Sequence, residues 1–237
     1  MSLRGINRTV ANQLSAEHFQ ALKTIDTPTV CNAIERFDVR GRVEGFLGMD
    51  IRYLTPELGT MVGYAITVTV DSTTPEAPRS SEAWHAWLKA MAASPKPAVL
   101  VFKDVGPTPR KSAHLGEVMG TIAKRLGVVG VVCDGGLRDI LELRRLELHC
   151  FGPGLVPSHG NPRLIEVNVP VEIDGVCIEP GDLLHGDLNG VTTVPLAIAD
   201  QVAEMAARIR EEEALLLAYV NGPECTVKGL FAHTVRH

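Results

Sequence analysis

Glu117, Arg138 and Asp139 are the residues in this chain whose types and spacing best suit chemistry on a small acid. An arginine is a permanently charged, planar fork that grips a carboxylate through two parallel hydrogen bonds. The two acidic residues offer hard oxygen ligands, the kind that hold Mg²⁺ or Mn²⁺ while leaving several waters on the ion. A divalent cation beside a 2-oxo acid polarises the carbonyl and stabilises an enolate, the species common to metal-dependent aldol cleavage and to decarboxylation of oxaloacetate. A plainer reading stands beside this one. Arg138 and Glu142 are spaced i, i+4 and can form an exposed helix pair, and Glu117 and Asp139 in first turns can simply complement helix dipoles.

For the three to meet, two loops must reach one edge of a sheet. Residues 98–102 and 128–133 are unbroken apolar runs of the kind a parallel sheet buries on both faces. Helices at about 117–126 and 137–146 and a short strand at 148–151 complete a β-α-β-α-β unit with right-handed crossovers. Loops leaving the carboxyl ends of neighbouring strands share an edge, where ligands bind in such folds. The loop from Lys103 to Glu117 and the loop 134–139 therefore converge. Each opens a helix, and the free amides of Gly116, Glu117, Val118 and Met119, and of Leu137 to Asp139, can hold an anion there. His114, just before Gly116, reads as an exposed loop histidine ahead of an acid or base.

Around this core the pattern gives N-terminal helices over about 14–37, with Thr27 as a cap and Pro28 in the first turn, and a strand at 61–70. A surface loop at 72–79 precedes a helix from Ser81 that carries Trp84, Trp87, Leu88 and Met91 on one face. The tryptophans read as core or subunit contact. From Arg163 the period changes to 2, with turn signals at Asp174-Gly175, Pro180-Gly181 and Asn189-Gly190. His185-Gly186-Asp187 looks metal-like but reads as one of two paired turns, with Gly181-Asp182 as the other. A C-terminal helix spans about 197–219, and the tail 221–237 has no clear period. The whole, 1–237, reads as a single α/β domain with its core at about 60–195.

Composition narrows the function. Hydrophobic residues make up 45% of the chain and aromatics only 5%, an aliphatic balance that suits a buried sheet and disfavours disorder. With 23 basic and 28 acidic residues the net charge is −5, which gives no field for a nucleic-acid backbone. No apolar run approaches the roughly 18 residues of a membrane span, and Met1–Val10 carries two arginines without a hydrophobic stretch, so the expected location is cytoplasmic. The five cysteines, without C-x-x-C spacing, read as reduced and mostly buried thiols. No G-x-G-x-x-G follows a strand, so no dinucleotide site is expected.

The segment Gly116-Glu117-Val118-Met119, the 20 residues between Glu117 and Arg138, and Arg138-Asp139-Ile140-Leu141-Glu142 resemble the motif of the 4-hydroxy-4-methyl-2-oxoglutarate aldolases. The wider family includes the regulator of ribonuclease E activity A. Similarity runs from about Leu14 to Gly222 and includes Thr27-Pro28-Thr29-Val30, Val62-Gly63-Tyr64-Ala65 and Val129-Gly130-Val131-Val132-Cys133-Asp134-Gly135. The resemblance implies an α/β fold of the swivelling β/β/α type, assembled as homotrimers or homohexamers with sites between subunits. It implies an enzyme that uses Mg²⁺ or Mn²⁺ to cleave a 4-hydroxy-2-oxo acid to pyruvate, with oxaloacetate decarboxylation as a side activity. By the same resemblance Arg138 holds the substrate carboxylate and the amides of Gly116 to Met119 contact its pyruvyl end. Asp139 anchors the metal, partly through water, Glu117 orients a water, and an acidic residue on the C-terminal helix of an adjacent subunit completes the site, with Glu212 as its counterpart and Glu211 and Glu213 as close rivals. Its alternative is a non-catalytic regulator of ribonuclease E that acts by protein–protein binding. Three features depart from the family pattern: Cys31-Asn32-Ala33 where many members have Ser-Asp-Ala, glutamate at 117 where some have aspartate, and a longer tail.

Overall fold

The computed structural model describes residues 13–234, so the expectation about Met1–Val10 lies outside the described residues. Helices α1 (Ala16–Lys23) and α2 (Thr27–Glu35) come first. Asp26 caps α2 by accepting the Thr29 N–H at 2.9 Å, so the cap sits one residue before Thr27, and Pro28 falls in the first turn, where its missing donor is harmless.

The strands β1 (Arg52–Tyr53), β2 (Met61–Asp71), β3 (Ala98–Asp104), β4 (Ala113–Leu115), β5 (Val128–Cys133), β6 (Gly136–Leu137) and β7 (His149–Gly152) follow, with helices α3 (Ser81–Ala93), α4 (Glu117–Arg125) and α5 (Ile140–Arg145) between them. β2, β3, β5 and β7 lie side by side in that order, all parallel. The parallel unit is thus one strand larger than the apolar runs indicate, with α3 as the additional crossover. Alternate residues of β3 enter different cores: Leu100 and Phe102 pack with Trp87, Met91 and Leu143 beneath the helices, and Val99 and Val101 pack with Ala65, Val132 and Phe151 on the other face.

The period-2 region forms β8 (Arg163–Val167), β9 (Val171–Ile173), β10 (Val176–Ile178), β11 (Leu183–Asp187) and β12 (Gly190–Val194). β2 is 11 residues long and buried throughout, and its second edge is shared antiparallel by two strands. β11 pairs with Met61–Tyr64 and β8 with Val68–Asp71. The β9–β10 turn is Asp174-Gly175, both left-handed at φ 47° and 79°, the twist that a two-residue hairpin requires. Helices α6 (Val202–Asn221) and α7 (Val227–Thr234) end the described chain.

Several expectations need correction. The helix expected from 137 starts at Ile140, because Leu137 donates to Gly154 O and accepts from Val156 N–H as part of β6. The last long helix starts at 202 and not 197, since Pro195 O and Ile198 O accept from residues three further on, in single turns. The tail contains α7. His185 belongs to a strand and not to a turn: it is fully buried, it receives the Thr27 hydroxyl at 3.0 Å on Nδ1, and its Nε2–H donates to Leu22 O at 3.0 Å. Asp187 accepts the Thr27 N–H, so these residues fasten α2 to the sheet. Only Cys133 and Cys150 are buried, Cys177 is exposed, and none of the five is paired. Among the described residues no helix is long and apolar enough to cross a membrane.

Candidate active site

Beyond the main sheet, β4 and β6 form a small parallel pair, with Ala113 opposite Gly136 and Leu115 opposite Leu137. This pairing brings the amino end of α4 beside the Arg138-Asp139 dipeptide, and the Arg138 N–H donates to Leu115 O at 3.1 Å. The two loops therefore meet at the carboxyl edge of the sheet.

Asp139 stands just before α5 with φ 54° and ψ 42°, a left-handed conformation that costs an L-residue about 1 kcal/mol and is tolerated best by Asn and Asp. Its carboxylate gives its own helix no capping bond. Oδ2 accepts the Glu117 N–H at 3.0 Å instead, and Arg138 Nε lies 3.5 Å from the same oxygen. A left-handed residue before one helix thus supplies the anion at the amino end of another, where free N–H groups and the dipole favour it.

Gly116 makes this crossing possible. A Cβ there would sit 2.5 Å from Asp139 Oδ2 and 2.9 Å from Arg138 Nε, closer than carbon can approach either atom. Arg138 and Asp139 remain 36% exposed, Glu117 and Val118 face solvent, and Met119 is half-buried. Arg138 is not paired with Glu142, whose Oε1 accepts from Arg145 Nη2 at 2.6 Å. Among the described residues no hydrogen bond engages the two Nη groups of Arg138, which leaves the outer edge of its fork for a ligand. The Glu117 N–H is occupied by Asp139, so Val118 and Met119 carry the free first-turn amides of α4.

The donors at this edge are hard carboxylate oxygens, the kind a divalent ion takes. Among the described residues no three or more His, Cys, Asp or Glu side chains are placed to hold a metal. That excludes a closed cage of the zinc type within the described chain, but it fits Mg²⁺ or Mn²⁺, which use one or two carboxylates with waters and substrate oxygens. The half-exposed Asp139 carboxylate, with one oxygen engaged, is a donor of that kind. Glu212 lies on α6, exposed and ion-paired with Arg36 at 2.8 Å, and within one chain α6 packs on α1, α2 and α7.

His114 is not an exposed loop residue. It lies in β4, fully buried, and its Nε2–H donates to Asp104 Oδ2 at 2.7 Å. Asp134 Oδ1 in turn accepts the Asp104 N–H at 2.8 Å, and Lys103 pairs with Asp134 Oδ2 at 2.8 Å. This network ties the two site loops together and was not foreseen. A signal for it exists in the sequence: β2 and β3 finish in Asp71 and Asp104, and Asp134 directly follows the run that ends at Cys133, which puts three aspartates at one edge.

Comparison with known proteins agrees with this architecture. Residues 27–193 match the family described as RraA-like, Aldolase/RraA. An uncharacterized protein of Methanocaldococcus jannaschii is 34% identical over 152 residues, covering 64% of this chain and 68% of that one. A Halalkalibacterium halodurans protein named "Putative 4-hydroxy-4-methyl-2-oxoglutarate aldolase" is 33% identical over 127 residues, 53% of this chain and 60% of the relative. Among solved structures, an uncharacterized protein from Pseudomonas syringae superposes with a TM-score of 0.71 at 22% identity over 94% of this chain and 97% of that one. Streptomyces coelicolor RraAS2, described as an unusual member of the RNase ES inhibitor RraA family, gives 0.67 at 23% identity over 86% of this chain and 98% of that one. At those identities the structures support the fold, and the matched span carries the kinship: this chain belongs to the RraA-like family.

Proposed function

We propose that this protein is a divalent-metal-dependent aldolase that cleaves a 4-hydroxy-2-oxo acid, such as 4-hydroxy-4-methyl-2-oxoglutarate, to pyruvate and a second carbonyl compound. The observation that carries the reading is the crossing over Gly116, where Arg138 and Asp139 lie side by side at the amino end of α4. The free outer edge of Arg138 receives the substrate carboxylate in a bidentate grip, and the Val118 and Met119 amides face the pyruvyl end. Asp139 would hold Mg²⁺ or Mn²⁺, partly through water, and the bound ion supplies Lewis acidity toward the 2-oxo oxygen. Glu117 orients the water that takes the proton from the 4-hydroxyl. The C3–C4 bond breaks, its electron pair passes into the pyruvate enolate, and protonation at C3 gives pyruvate. Oxaloacetate fits the same grip, with carbon dioxide as the leaving fragment. In this reading Glu212 comes from an adjacent subunit of a homotrimer or homohexamer and completes the site.

The structural likeness to RraAS2 supports a second reading, a non-catalytic regulator of ribonuclease E that acts through its protein surface. It gives no reason for an arginine and an aspartate folded across a glycine at a helix terminus. The test is pyruvate release from 4-hydroxy-4-methyl-2-oxoglutarate and from oxaloacetate with added Mg²⁺ or Mn²⁺. Arg138→Ala should lower kcat/KM by about 100-fold or more, the scale for losing a group aimed at developing charge. Chelation should abolish turnover and metal should restore it. No metal-dependent pyruvate release, or an unaffected Arg138→Ala variant, overturns the aldolase.

A further inference from the structure

The opposite edge of the sheet holds a cavity that the reading above does not use. It measures about 260 Å³ and lies where the parallel strands begin. Its apolar wall is built from Phe19, Leu58, Val62, Pro97 and Val129, and its polar part from Lys23, Lys124, Glu147, Thr60 and His149. Among the described residues Lys23 makes no ion pair. Lys124 Nζ donates to Glu147 O at 3.2 Å and lies 3.8 Å from Glu147 Oε2.

The protonation of His149 follows from its partner. Tyr53 has one hydroxyl proton, which it donates to Gly59 O at 2.9 Å, a group that can only accept. The 2.5 Å contact between Tyr53 Oη and His149 Nδ1 must then be donated by the imidazole, so the proton is on Nδ1 and Nε2 is left with a lone pair. Burial first, then the charges of Lys23 and Lys124, push this histidine down to about 4. The same two lysines that disfavour a positive charge on the imidazole favour an anion.

The charges also set the class of anion. Two lysines and one glutamate sum to +1, which matches a monoanion better than a doubly charged phosphate. The apolar wall calls for a hydrocarbon portion, and the volume has room for a short aliphatic acid with accompanying water. We propose that this cavity binds a short-chain monocarboxylate, with its carboxylate between the Lys23 and Lys124 ammonium groups and its apolar part against Phe19, Val62 and Val129; the His149 ring, with no donor left to offer, senses the anion only through its charge. The site is separate from Arg138 and does not depend on the aldolase reading.

The experiment is an NMR titration of the intact protein with sodium butyrate, following the His149 ring resonances, with inorganic phosphate as comparator. Butyrate should shift those resonances saturably and raise the His149 titration midpoint above its unliganded value. The groups facing the ring are Lys23 from α1, Lys124 from α4, Glu147 ahead of β7 and Tyr53 from β1. The Lys23→Ala, Lys124→Ala pair should weaken butyrate binding about tenfold or more, and the single Lys23→Ala variant carries the same comparison if the pair does not fold. Arg138→Ala should leave the His149 response intact. Resonances unmoved by butyrate, an unchanged affinity without the lysines, loss of the response in Arg138→Ala, or a response to phosphate alone would each overturn the proposal.

Discussion

His149 and Asp71 sit on different edges of the sheet, and each is held away from its ordinary titration range by its immediate neighbours. His149 stays neutral down to about 4, whereas an unfolded imidazole binds its proton near 6.5. Between those values the unfolded chain takes up more protons, so stability falls as pH drops from about 6.5 to 4 and this contribution levels off below. Asp71 works in a lower window. The Thr74 hydroxyl above all, then the amides of Thr74 and Thr73 and the Arg163 guanidinium, hold it near 2 against an ordinary 3.8. Its contribution is complete above about pH 4 and is lost as pH falls toward 2. Urea midpoints recorded from pH 2 to 7 should decline in both windows. His149→Gln should flatten the upper slope and Asp71→Asn the lower one, and an unaltered profile in either variant would contradict the assignment. Residue types and spacing were enough to single out Arg138 and Asp139. The left-handed backbone that turns Asp139 toward a neighbouring helix depends on the β4–β6 pairing and leaves no local pattern.

At the scale of elements, the small β4–β6 pair matters as much as the large sheet, because it sets the height at which the two loops meet. The fully buried His114–Asp104 contact anchors it. Removing the imidazole would strand a carboxylate out of water, a change that typically costs 3–5 kcal/mol. His114→Ala should therefore lower the unfolding free energy by about 3 kcal/mol or more. Adding Asp104→Ala should recover part of that loss, because the two residues share one interaction. Calorimetry on the two single variants and the double variant decides it, and additive losses would mean that the pair is not coupled. β3 and β5 are legible because each is built on a continuous apolar run, whereas β2, with Thr67 and Thr69 inside it, reads as a strand without showing that it joins the parallel unit. Leu137 was misassigned because Leu137, Ile140 and Leu141 fit a helical period, whereas long-range bonds to Gly154 and Val156 make Leu137 a strand residue. His185 was misread for a related reason, since Gly and Asp beside it look like a turn until the partner strands are in place.

For the whole molecule, the proposed sharing of sites between subunits has a direct consequence. Leu215 at 73% and Phe231 at 67% exposure lie on the outer faces of α6 and α7, where an oligomer has apolar surface to cover. If Glu212 acts in a neighbour's site, Arg138→Ala and Glu212→Gln subunits, each inactive alone, should regain part of the wild-type turnover when unfolded and refolded together, because some interfaces then hold both intact residues. The recovered rate measured against mixing ratio checks this, and no recovery at any ratio would confine the site to one chain.

β2 carries another consequence, this one for the making of the protein. Its first half is closed by β11 and its second by β8, with Tyr64 opposite Leu183 and Val70 opposite Leu164. A ribosome finishes β2 about a hundred residues before either partner exists, and for that interval one edge of the longest strand, buried throughout in the fold, has unpaired N–H and C=O groups open to other chains. The carboxyl-terminal third of the sequence therefore acts on its own chain as a late-arriving guard against aggregation.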